Sequence, residues 1–230
     1  MGSRRVLGLV AATVAAGLAV AGCAPLKMGA AAIVGNNTVS IAQLNNETGM
    51  LAAGAKKYPT LVKLSQQQIT QETLAWLIRF KIANQVASKS GISVTTAQAD
   101  QARNEIYQQA AAEAEQSGVS NVTLELIMVA NGIPPNMTTE LGQYQAIENA
   151  YLAAANGGTM PAASSSALTA AENQYEHATC QAAKSLNIQV NPQFGRMNYT
   201  QYSVVDTADT VSAPSGSKPS TSTGGLSPAC

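Results

Sequence analysis

The chain has 230 residues, with 13 basic and 13 acidic side chains and a formal net charge of zero. That balance leaves no electrostatic footprint for nucleic acid. Charged residues make up only 11%, so Gln, Asn, Ser and Thr must dress the surface, and with aromatics at 4% the core must come from Ala, Leu, Ile and Val.

At the N-terminus, Arg4 and Arg5 precede an uncharged apolar run from Val6 to Ala21. A basic n-region followed by an apolar h-region is the pattern of an export signal. The run falls short of the ~20 residues that span a bilayer comfortably as a helix. Val20-Ala21-Gly22-Cys23 follows at once and resembles the lipobox of bacterial lipoproteins. On that reading residues 1–22 are a signal peptide and Cys23 is the lipidation site. Residues 23–30 are then a lipidated tether that holds the protein to the extracytoplasmic face of the cell membrane.

Next, the run Ala31 to Val34 and the pair Thr38-Val39 flank a turn at Asn36-Asn37, which predicts a tight hairpin. Ser40 and Gln43 have capping-box spacing for a first helix over about 41–55, and Pro59 breaks the chain after it. The central helix is predicted over about 66–90. Leu74, Ile78, Ile82 and Val86 recur every four residues, and Ile69, Thr73, Trp76, Leu77, Phe80 and Ala87 cover a neighbouring face. A helix apolar over so much of its girth must be surrounded by other elements. Gly91 stops it, and Thr95 with Gln98 forms a capping box for a third helix over 96–116.

Ser120 or Asn121 is expected to cap a fourth helix over 122–130, rich in Leu126-Ile127-Met128-Val129. A fifth is expected from Thr138 or Thr139 to Ala155, and a sixth over 167–186. Beyond Asp206 the chain turns to Ser, Thr, Pro and Gly. Such a composition cannot bury a core, so residues 206–230 are expected to be a disordered tail.

No Gly-rich phosphate loop, nucleophile elbow or paired-carboxylate constellation appears in the sequence, and neither an enzyme nor a cofactor is expected. His177 with Glu176 and Cys180 could be read as a metal site, His177 and Cys180 sharing a helix face, but two strong ligands without a second cluster make a poor one. Cys180 and Cys230 remain beside the lipid cysteine. They could form a disulfide in an oxidising compartment, or Cys180 could be a buried small hydrophobe. Non-reducing mass spectrometry separates the two readings.

Three segments carry a family resemblance. Leu77-Ile78, Ala87, Gly91-Ile92, Val94-Thr95 and Asp100 resemble the core signature of the SurA N-terminal domain family, extracytoplasmic chaperones that include SurA and PrsA. The opening from Ala31 to Ser40 is similar to the family's "AAxVNGxxIS" start, with Gly35-Asn36 in swapped order. Asn187-Ile188-Gln189-Val190-Asn191-Pro192-Gln193-Phe194-Gly195 resembles its closing "V-x-V-N-P-R-F-G" strand, with Gln193 in place of arginine.

The resemblance implies a mainly α domain over residues 31–205, like the chaperone domain of trigger factor. A small β-sheet would join the domain's N- and C-terminal ends. It also implies an ATP-independent holdase for unfolded or newly exported polypeptides. The parvulin isomerase domain of larger members has no room in the interval 156–166, and the chain has a single histidine where parvulin sites use a cluster.

Candidates for client contact are Ile127, Met128, Met137, Tyr144 and Tyr151, since flexible methionines and aromatics suit an adaptable surface. For Ile127 and Tyr144 core packing is the stronger expectation; Met137, after Pro134-Pro135, is expected to be exposed. The competing reading is a structural or dedicated partner-binding lipoprotein that keeps the fold without general chaperone activity.

Overall fold

A computed structural model describes residues 28–207. The chain opens with an antiparallel hairpin, β1 (Ala30–Val34) and β2 (Asn37–Ser40). Its turn is Gly35-Asn36, one residue earlier than expected, with Val34 opposite Asn37. Gly35 carries φ +60°, the positive φ that a two-residue hairpin turn can require at its first central position. Its amide donates to the Leu186 carbonyl at 2.6 Å. A Cβ there would sit 2.9 Å from the Leu186 side chain.

Ser40 caps α1 (Ile41–Lys57), its hydroxyl accepting from the Gln43 amide at 3.0 Å. Helix α2 (Gln66–Lys89) begins at a reciprocal Ser65–Gln68 capping box, and α3 (Thr96–Gln116) begins at the expected Thr95–Gln98 box. Helix α4 (Leu124–Ala130) starts two residues later than expected, because Thr123 rather than Ser120 or Asn121 supplies the cap, accepting from the Leu126 amide. Asn121 sits at φ +59°, outside helical geometry. Helices α5 (Thr138–Ala155) and α6 (Ser166–Ser185) follow. Three short strands close the domain: β3 (Gln189–Val190), β4 (Arg196–Asn198) and β5 (Ser203–Val205).

The described residues are thus mainly helical with a small antiparallel sheet of order β2-β1-β3 and a separate β4-β5 hairpin. Strand β3 pairs with β1, Ala32 opposite Val190. The ladder is extended by the Asn191 amide donating to the Ala31 carbonyl at 2.9 Å. Residues near the two ends of the described chain therefore meet in one sheet. Asp206, expected to open the tail, accepts a hydrogen bond from the Gln67 side chain of α2. Positions 208–230, including Cys230, lie outside the described residues, as do the signal segment and Cys23. Among the described residues no helix is long and apolar enough to cross a membrane.

Helix α2 is the hub. Its apolar girth packs against α1, α5, α6, β1 and β5. Leu74 and Ile78 are fully buried, with Ile82 and Val86 nearly so. Truncating Leu74, Ile78 or Ile82 to Ala should cost about 2–5 kcal/mol, as at other well-packed sites.

The closest helix pair is α3 with α5. Ala99 and Ala102 face Ala146 and Gly142 across it, all buried. A Cβ at Gly142 would collide with the Ala99 carbonyl oxygen, a backbone atom that cannot swing aside. Gly142→Ala is therefore expected to destabilise the domain by roughly 1–3 kcal/mol despite alanine's better helix propensity. Chemical denaturation measures this, and an unchanged or higher midpoint would mean that the α3–α5 approach is looser than described.

Candidate functional site

Helix α2 is not covered evenly. Along one side, the cover is made by single side chains from three different elements, and a pocket of about 230 Å³ opens between them. From α2 come Trp76, Arg79 and Ala83, one helical turn or two apart, so they line one wall. Tyr144 enters from α5, Tyr175 and Thr179 from α6, and Gln201 and Tyr202 from the turn between β4 and β5.

The wall is aromatic. Trp76 and Tyr144 meet edge to face, centroids 5.8 Å apart and planes at 78°, and Phe80 packs behind both at 5.6 and 6.1 Å. The Trp76 indole N–H donates to the Asn131 carbonyl at 3.0 Å, which fixes the ring. The Arg79 guanidinium lies 4.8 Å from the Trp76 ring centre, and its Nε donates to the Tyr202 carbonyl at 3.0 Å. Tyr202 has φ +48°, a left-handed conformation costing a non-glycine residue about 1 kcal/mol or more. The Arg79 bond helps hold it there. The buried Tyr202 hydroxyl has no hydrogen-bond partner among the described residues.

Burial sets the electrostatics. It pushes the Tyr144 phenol above its ordinary range, and the neighbouring Glu148 charge adds to this. Tyr175 is pushed much further up by burial, then by Tyr144 and Glu148. Tyr202 is raised by burial and by Glu176. Glu148 itself is raised, chiefly by burial and then by Glu172. The phenols stay neutral at physiological pH, and the pocket joins an apolar floor to one guanidinium. It can grip an apolar or aromatic group through ring contacts. Among the described residues no three metal-ligating side chains gather.

Of the five expected contact residues only Tyr144 lines this pocket. Met137 is 5% exposed, not the exposed side chain expected. Its amide donates to the Pro134 carbonyl, and the turn so formed folds it back into the main core as α5 begins. Met128 is fully buried and Ile127 nearly so, because the short α4 lies against the core on its apolar face. Tyr151 is half-buried, its ring 5.3 Å from Tyr175 and its hydroxyl donating to the Gln174 carbonyl. Cys180 is buried and disulfide-bonded. His177 is exposed on α6.

Trp76, Arg79, Tyr175 and Tyr202 were missed as site residues. The Trp-x-x-Arg spacing on one helix face was a usable signal for the first two.

Searches of family models, curated proteins and solved structures find no match to this chain.

The raised pKa of Glu148 has a stability consequence. The folded state holds the proton more tightly than the unfolded state, so stability is highest below the unfolded pKa and falls as pH rises through the folded value. Glu148→Gln removes that loss. The variant is expected to melt higher than the parent at pH 7, with the advantage shrinking towards pH 4. A gain independent of pH would mean that Glu148 is not destabilised as a charge.

Proposed function

We propose that this chain is an extracytoplasmic lipoprotein, anchored to the cell membrane through Cys23, whose helical domain of SurA N-terminal type holds unfolded or newly exported polypeptides without ATP. The observation that carries the reading is the aromatic pocket beside α2. Its volume of about 230 Å³ suits one large apolar side chain. Its rings offer contact that does not depend on the sequence around that side chain. A holding protein needs such tolerance, because an unfolded client presents many different apolar residues.

The second reading, a dedicated partner-binding or structural lipoprotein, is favoured by a separate observation. The methionines expected to form an adaptable surface, Met128 and Met137, are locked in the core. A single small pocket fits one defined partner residue as well as it fits many.

The two readings separate in an aggregation assay. Residues 24–230 are mixed with a chemically unfolded reporter, and light scattering is followed without ATP. Suppression near a stoichiometric ratio is expected, and Gln201→Trp, which fills the pocket mouth from its exposed rim, should reduce it several-fold. Absence of suppression at large excess would remove the general holdase and leave the dedicated partner.

A further inference from the structure

From Thr48 to Gln71 the sequence holds no aspartate or glutamate, yet Lys56, Lys57 and Lys63 fall within eight positions. The structure folds this stretch into one corner of the domain, formed by the end of α1, the connection through Pro59, and the first turn of α2. An open groove of about 580 Å³ lies there, with Ala55, Pro59, Val62 and Ile69 along it and Lys56 and Lys63 at its sides. Leu61 stands on the connection, 55% exposed.

The charges in this corner are not all spent. Lys57 is paired with Glu125 of α4, and Asp206 engages Gln67 on α2. Lys56 and Lys63 are exposed and make no ion pair with a described residue. Ser65 and Gln66, where α2 begins, line the same groove. They bring the positive end of that helix to it.

A leucine held out into solvent between lysines has one environment that suits both. At an anionic bilayer surface the apolar tip enters the boundary of headgroups and acyl chains, while the ammonium groups reach the phosphates on their flexible stems. We infer that the α1–α2 corner docks on an anionic lipid surface. Docking there would fix how the domain stands on the membrane, a separate matter from any covalent anchor. Each lysine near such a surface is worth roughly fivefold in affinity. Two lysines and one leucine give weak, reversible docking that becomes effective once the chain is already held near the membrane.

The test is hydrogen exchange on the full chain reconstituted into vesicles. Exchange of residues 58–64 is compared in phosphatidylcholine vesicles and in vesicles containing one third phosphatidylglycerol. Several-fold slowing in the anionic vesicles alone is expected. It should be reversed by 0.5 M salt and lost in the Lys56→Glu/Lys63→Glu variant, but kept in Lys89→Glu, a charge change on another part of the surface. Equal exchange in both vesicle types overturns the inference. So does equal slowing in the double variant, or slowing reproduced by inorganic phosphate without vesicles.

Discussion

Helix α2 cannot exist alone in water. Its apolar residues cover so much of its circumference that it must be surrounded, and each neighbouring element supplies part of the cover. The β1–β2 hairpin, α1, α5, α6 and β5 all pack against it. The small sheet then follows. A hub helix wrapped by chain from before and after it brings both flanks together, and β3 closes on β1 where they meet. The hydrophobic demand of one segment thus sets the order in which the others are arranged.

The same demand explains where the candidate site lies. Helices cover α2 well where a whole helix face is apposed. Beside Trp76, Arg79 and Ala83 the cover is assembled from isolated side chains of α5, α6 and the β4–β5 turn. Rings of fixed shape arriving from separate elements cannot all adjust to one another, and a pocket is left between them. Arg79 belongs to the same compromise. It stacks on Trp76 and ties down the strained Tyr202, so a charged residue on the hub helix becomes part of the pocket wall.

Much of the fold could be read from the sequence because the signals were local. Thr95 and Gln98 announced α3, Ser40 announced α1, and the four-residue recurrence of Leu74, Ile78, Ile82 and Val86 announced the hub. The hairpin turn was misread by one residue, since Asn36-Asn37 looks like turn chemistry. The register places the turn at Gly35-Asn36, with Gly35 at positive φ and its amide on the Leu186 carbonyl, a contact across more than half the chain. The site was far less legible. Tyr144 was named, but Met137 was expected outside because it follows two prolines, and the turn those prolines build carries it inward. Tyr175 and Tyr202 join Trp76 only through tertiary packing, and no spacing in the sequence encodes that meeting.

Trp76 is the chain's single tryptophan, and it forms part of the pocket wall, so its fluorescence reports on occupancy directly. The decisive measurement is a titration of Trp76 emission with a permanently unfolded polypeptide, in the parent and in Gln201→Trp/Trp76→Phe, where the added indole reports from the pocket mouth. If the pocket holds apolar side chains, the parent emission shifts and saturates, and the double variant binds several-fold more weakly. An emission spectrum unchanged up to a large excess of polypeptide would contradict the account, whatever the aggregation assay showed.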